Sequence, residues 1–419
     1  MRVLWFTTIP MPAVDQRLGL GLVGSGGWMS QLLEELKVRG QVRLAVATAG
    51  NGLPDLEFES DGVTYFTLHE GSPLRPLHRE EELRKCAALV ERWRPDLIHV
   101  HGLERFFGLL ESRRLVTAPV VISIQGILAE VSRNLFGRLS FWDVARMERL
   151  RDIVRGRGWG WTWWRYRQMA LRETEIVRGA RVFMGRTEFD RRFLLGLNPA
   201  ARYYHVDELL RRPFHDVRWN LETCERYRIL FANASHPHRD IDTALEAVAL
   251  LKGWFPDVRL CLPGAIEETG GYGKHLSRRI SRLRLQGQVE FLGFLSAERM
   301  AAELTRAHVF ATSSRVENSS NSLCEAMRVG VPCVASRVGG LPSLAEEGRS
   351  ALFFPPTDAG AMAERIARIF RENDLACSLG DVARERAVER HDPDRVVAQL
   401  MTAYEDILSP AKKGLEPKG

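Results

Sequence analysis

Short apolar runs separated by amphipathic stretches recur along nearly the whole chain. This alternation restricts the fold more than any other feature. VLWFT (3–7), VRLAVAT (42–48), VTYFTL (63–68), LIHVH (97–101), VVISI (120–124) and RVFM (181–184) are strand-length and rich in β-branched or aromatic residues. Segments such as WMSQLLEELKVRG and EEELRKCAALVERWRP, with helical spacing of their apolar residues, lie between them. Continuous apolar strands that alternate with helices form a parallel sheet covered on both faces. A second series follows: RILFANAS (228–235), VRLCLPG (258–264), VEFLGFL (289–295), HVFATSS (308–314), VPCVAS (331–336) and ALFFP (351–355). The charged, aperiodic stretch DELLRRPFHDVRWNLETCER (207–226) divides the two series. The expected organisation is a first domain over 1–206, a linker over 207–226, a second domain over 227–391, a terminal helix over 392–409 and a mobile tail over 410–419. The fold class is α/β, with two doubly wound Rossmann-like domains facing across a cleft. Such sheets bind ligands outside the carboxyl ends of their strands.

Composition narrows the function. The formal charge of +6 is mild, and no basic tail or RNA-binding aromatic motif accompanies it, so nucleic acid is not an expected partner. The 6 cysteines are scattered, with no C-x-x-C pair or Cys/His cluster, which argues against a zinc site or disulfide scaffold and suits a reducing cytoplasm. MRVLWFTTIP reads as a first strand rather than a signal peptide, and no apolar run reaches the ~20 residues of a membrane span.

Several motifs attract chemistry and lose it on inspection. GLGLVG (19–24) matches G-x-G-x-x-G, but a proline-containing loop separates it from the first strand and no acid follows the second strand, so hydride transfer is excluded. Gly26 and Gly27 still precede a helix, where backbone N–H groups can approach an anion or a sugar hydroxyl. Asp240-x-Asp242 and Asp392-x-Asp394 resemble metal-binding pairs, yet both stand at helix starts, where capping and the helix dipole explain them. GRGWGWTWWRYR sets Trp159, Trp161, Trp163 and Trp164 among arginines; core packing, peripheral membrane contact and acceptor contact remain open for it. Of His99 and His101, strand alternation and the following Gly102 place His101 nearer the cleft.

RVENSSNSLCEAMRVG carries the most information. Glu317 follows a strand in a polar loop, and a helix starts near Asn321. The free N–H groups of that helix's first turn suit a phosphate without a metal. Glu325 lies in the next turn. Carboxylates accept hydrogen bonds from diols. Two acids flanking an N–H anion site therefore fit a sugar, a diphosphate and a ribose in one ligand.

Glu317-x7-Glu325, with AMRVGVPCVASRVGGLPSLAEEGRSALFFPPTD after it and SAERMAAELTRAHVFATSS before it, closely resembles the retaining family 4 glycosyltransferases of GT-B fold. The likeness is strong over 228–375 and looser in the first half, where Gly26-Gly27, PDLIHVHG and VVISIQG carry it. GRTEFDRRF and YYHVDELLRRPF resemble a bacterial polysaccharide-biosynthesis branch. The resemblance implies sugar transfer from a nucleotide-sugar to a glycan or lipid-linked acceptor, with retention, no metal and no cofactor beyond the donor. It implies a cytoplasmic enzyme, peripheral to the inner face of the membrane if the tryptophans dock there. Glu317, Ser320, Gln125 and His101 would meet the donor sugar. Glu325 would hold the ribose, and Asn321, Ser322, Leu323, Arg239, Gly26 and Gly27 the diphosphate side. The last helix would cross back to the first domain. Three positions depart from the family. Only Arg239 supplies a cation where an Arg and a Lys are usual, with Ala234 or Ser235 at the Arg position. Gln125 stands for a usual His, and Ser320 for a usual Gly. Gln125 cannot titrate, so no proton transfer runs through it. No catalytic nucleophile is assigned. A sugar-nucleotide epimerase and a non-catalytic donor-binding or scaffold subunit are the alternatives.

Overall fold

The computed structural model describes residues 1–21, 27–71, 79–149, 152–153, 158–232, 235–264 and 271–409. The first sheet contains β1 (Arg2–Thr7), β2 (Arg43–Gly50), β3 (Leu56–Ser60), β4 (Val63–His69), β5 (Leu97–His101), β6 (Val120–Ser123), β7 (Val182–Gly185) and β8 (Arg202–His205), in the order β3-β4-β2-β1-β5-β6-β7-β8. Every pairing is parallel except β3 with β4. The second sheet contains β9 (Arg228–Phe231), β10 (Arg259–Pro263), β11 (Val289–Gly293), β12 (Val309–Thr312), β13 (Cys333–Ser336) and β14 (Leu352–Phe354), ordered β11-β10-β9-β12-β13-β14 and parallel throughout. Central strands β1, β5, β6, β9, β12 and β13 are buried almost throughout, as two covered faces require.

β3 and β8 are the two strands that the apolar pattern does not reveal. Both are sheet-edge strands with half-buried or exposed side chains. The loop after β1 also contains a short helix, Pro12–Leu18, which ends at Gly19 in a left-handed conformation.

The chain passes between the domains twice. On the second passage Asp392 caps the last helix, Pro393–Leu408, by accepting from the Arg395 N–H at 2.8 Å. Val396, Val397, Leu400, Ala403 and Tyr404 of that helix enter the core formed by Val3, Trp5, Leu44 and Val46, so the C-terminal helix belongs to the first domain's packing. The Tyr404 hydroxyl lies 2.6 Å from His99 Nδ1 and accepts from Trp5 Nε1 at 3.2 Å. Burial holds His99 neutral, with its pKa lowered to about 3. On the first passage, Phe214, Trp219 and Cys224 join the second core, and Trp219 Nε1 donates to the Ala307 carbonyl at 2.7 Å.

A segment of the first domain also leans on the second. Met147 is buried in the second core with Leu139, Val144 and Trp159 against it, and Arg138 pairs with Glu246 at 2.7 Å.

Candidate functional site

β12 ends at Thr312, and the loop that follows reaches the helix Asn321–Val329. Ser320 caps this helix, its Oγ accepting from the Leu323 N–H at 3.4 Å. The Asn321 and Ser322 N–H groups precede the helix's own acceptors and mark its positive end. Asn321 Oδ1 is buried without a protein partner, and Leu323 is fully buried. Ser320 is thus committed to the cap rather than presented to a sugar, and Leu323 can offer only its backbone.

The two acids flank this turn, and each faces an arginine from a distant segment. Glu317 is ion-paired with Arg239, from the turn after β9, and accepts from Ser314 Oγ at 3.2 Å. Glu325 is 4% exposed, and both its oxygens accept from Arg211, at 2.8 and 2.9 Å. Burial pushes the Glu325 carboxyl up to about 7, while Arg211 pulls it back. Burial lowers the pKa of Arg239. The expectation of Arg239 on the diphosphate side comes only through the family resemblance, near the position of the usual Lys. Sequence reasoning misses Arg211, one of several arginines in a stretch without periodicity.

Backbone from a third segment supports the loop. Gly340 N–H donates to the Glu317 carbonyl at 3.0 Å. A Cβ on Gly339 (φ +51°) would stand 1.9 Å from that same oxygen, and one on Gly340 would stand 1.9 Å from the Asn318 carbonyl. Glycine is required at both positions by close approach.

The first-domain candidates divide. Gln125 is half-buried beside the acidic loop, and its carbonyl accepts from Asn318 Nδ2 at 3.1 Å. Its own amide lies 3.9 Å from Met29 Sδ. His101 corrects the expectation of a cleft-facing ring: it is 0% exposed, stacked on His99 at 3.8 Å and enclosed by Trp5 and Trp28. Strand alternation gives a side chain's face of the sheet but not the helix that covers it. Gly27 opens the helix Gly27–Arg39; Gly26 and Ala234 lie outside the described residues.

The Asp-x-Asp pairs are engaged by protein groups, although Asp240, at its helix start, makes no side-chain cap. Asp240 accepts from Thr243 Oγ1 at 2.9 Å, and Asp242 is held by Arg279 at 2.8 Å and by His275 at 3.2 Å. Asp394 pairs with Arg39 at 2.6 Å. Among the described residues no group of three or more His, Cys, Asp or Glu could hold a metal ion. The tryptophans split as well. Trp159 meets Phe136 and the second domain's Tyr272, Trp161 and Trp164 stack at 4.7 Å, and Arg167 lies over the partly exposed Trp163. More open than any of these are Phe141 (77%) and Trp142 (68%). Among the described residues no helix is long and apolar enough to cross a membrane.

Two doubly wound domains, a helix N-terminus flanked by two acids at the carboxyl end of the second sheet, and a last helix that returns to the first domain define the GT-B class. Residues 24–206 match a family described as glycosyl transferase 4-like domain, and residues 217–386 match glycosyl transferases group 1. The chain is 29% identical over 135 residues to the N-acetyl-alpha-D-glucosaminyl L-malate synthase of Bacillus anthracis, covering 32% of this chain and 35% of that one. The chain thus spans about a third of that relative's length. It is 26% identical over 370 residues, 80% of each chain, to the 2-deoxystreptamine N-acetyl-D-glucosaminyltransferase of Streptomyces fradiae. The fold matches Anabaena HepE in complex with UDP-glucose with a TM-score of 0.67 at 16% identity, over 98% of this chain and 100% of that one. The chain belongs to the family 4 glycosyltransferases of GT-B fold.

Proposed function

We propose that this protein transfers a sugar from a nucleotide-sugar to an acceptor hydroxyl, with retention and without a metal. One observation carries the reading: Glu317 and Glu325 stand on either side of one helix N-terminus, each beside an arginine. The ribose diol would donate to Glu325 and the sugar hydroxyls to Glu317, with the diphosphate between them at the Asn321 and Ser322 N–H groups. Arg239 would then exchange part of its contact with Glu317 for the phosphate. As the glycosidic bond breaks, charge grows on the leaving diphosphate, and fixed N–H groups and a desolvated guanidinium stabilise it. HepE, which shares the fold, is known in complex with UDP-glucose, and this supports a donor of that class. A glycan or lipid-linked acceptor in bacterial cell-surface polysaccharide or glycoconjugate synthesis fits the resemblance of the GRTEFDRRF and YYHVDELLRRPF segments, with the enzyme cytoplasmic or peripheral to the membrane.

The test is incubation with a panel of nucleotide-sugars without metal. Acceptor-dependent release of nucleoside diphosphate is the expected result. An altered sugar still attached to its nucleotide would mean an epimerase, and tight binding without turnover would mean a non-catalytic subunit. Within the transferase reading, Glu325→Ala should mainly weaken nucleotide affinity and Glu317→Ala mainly impair use of the sugar. Equal loss of both in each variant would refute that division.

A further inference from the structure

The loop between the two acids is held by the other domain. Asn318 is 5% exposed, and its side chain extends from the second domain into the first. Its Nδ2 donates to the Gln125 carbonyl and to Asp190 Oδ2, both at 3.1 Å, with the Ile124 carbonyl at 3.4 Å. Its Oδ1 accepts from Thr187 Oγ1 at 2.7 Å. A primary amide has two donor hydrogens and one acceptor oxygen, so every polar atom of this side chain is matched by the first domain. The receiving site is itself fixed. Asp190 is fully buried, accepts from the Arg186 and Thr187 N–H groups at 2.9 and 3.2 Å, and is bound by the Tyr203 hydroxyl at 2.7 Å.

The next residue is held where the chain crosses between the domains. Ser319 Oγ donates to Glu208 Oε1 at 2.7 Å. The other Glu208 oxygen lies 3.2 Å from Arg186 Nε, and the Glu208 carbonyl lies 2.7 Å from His391 Nδ1. Residues 208 and 391 are on the two interdomain passages, so the loop is tied to both strands of the hinge as well as to the first domain's α/β core.

We infer that Asn318 is a positioning residue, an interdomain latch that sets the geometry of the Glu317 loop only when the domains are closed. This rests on the sugar-nucleotide reading and adds a coupling to it. The nucleotide end, held at Glu325 and the helix start, is built from the second domain and its linker. The sugar end also depends on the first domain, through the hydrogen bonds of the Asn318 side chain. The consequence is an enzyme that reads the donor's sugar after closure has excluded water, which limits donor hydrolysis.

Asn318→Asp is the sharp probe, because it keeps the shape, removes both donors and sets a carboxylate against Asp190 and two carbonyls. Small-angle scattering without substrate should show a larger radius of gyration than wild type. Calorimetry should show UDP or GDP binding within about twofold of wild type, with at least about tenfold weaker binding of the corresponding intact nucleotide-sugar, the scale of losing hydrogen bonds to buried groups. Asn318→Ala, which adds no charge, serves the same comparison if the Asp variant does not fold. An unchanged radius of gyration overturns the latch whether or not the protein proves to be a transferase. An open variant that loses nucleotide and nucleotide-sugar affinity equally overturns the positioning role. If wild type binds neither ligand, the sugar-nucleotide reading fails by itself, and the scattering result alone decides the latch.

Discussion

Arg211 gives the most direct test of the nucleotide end. It makes two hydrogen bonds to a carboxylate that is almost fully buried, at 2.8 and 2.9 Å. The carboxyl's pKa stands at about 7 because burial outweighs the pull of this guanidinium. Arg211→Met keeps the aliphatic length and removes the charge. One hydrogen bond to a charged group is worth roughly 1.5–3 kcal/mol, and counting the pair of bonds at the value of one discounts it for the partial exposure of Arg211. At about 1.4 kcal/mol per pH unit, their loss moves the Glu325 midpoint from about 7 to about 8–9. A ribose diol needs the ionised carboxylate as a double acceptor. Binding is therefore present above the midpoint and lost as pH falls through it. At about pH 7.5 the ionised fraction drops from about three quarters to between about a quarter and about 3%, so nucleotide affinity should weaken about 3- to 25-fold and recover above about pH 9.5. Calorimetric titration of UDP and GDP between about pH 6 and pH 10, wild type against Arg211→Met, measures both midpoints. Identical midpoints would refute the electrostatic account. Tighter binding by the variant at every pH would show instead that Arg211 competes with the ribose for Glu325.

Gly340→Ala should lower stability by about 1–3 kcal/mol and impair donor use, because its Cβ would meet the Asn318 carbonyl and, at 2.7 Å, Thr187 Cγ2; denaturant unfolding with donor kinetics checks both. His99, His238 and His308 are each held neutral by burial, with pKa values lowered to about 3. The unfolded chain binds protons at these sites below about pH 6.5, so the stability they confer is present above that value and lost as pH falls through it. The initial slope approaches about 1.4 kcal/mol per pH unit for each histidine, and unfolding midpoints that do not fall between about pH 6 and pH 4 would contradict it. If the proposed peripheral membrane contact exists, the exposed pair Phe141 and Trp142 would be the stronger anchor, since Trp161 and Trp164 are stacked on each other. Changing Phe141 and Trp142 to Ala should reduce flotation with anionic liposomes more than changing Trp163 and Trp164 does, and no loss in either variant would remove the proposal.

What the sequence makes legible follows the range of the forces involved. Central strands announce themselves because both faces are buried, so each run is continuously apolar. β3, with its alternating LEFES, and β8, with RYYH, lie at sheet edges where half the side chains meet water, and that signal fades. The placement of Glu317 and Glu325 around a helix start is legible because a strand end and the turns after it are local events, whereas Ser320, expected at the sugar, proves to be the helix cap. Arg211 reaches Glu325 across 114 residues and Thr187 reaches Asn318 across 131, and no periodicity encodes either pairing. Asn318 and Ser319 show the limit most clearly. In sequence they are filler in a polar loop between two acids. In the fold the loop has two faces: Glu317 meets Arg239 beside the helix start, while Asn318 and Ser319 engage the first domain and the hinge. A loop that must both contact a ligand and report the position of another domain needs polar residues for two different partners, and composition alone cannot separate the two sets. In the proposed reaction the acids hold the two ends of the donor, and the residues between them decide when the sugar end is assembled.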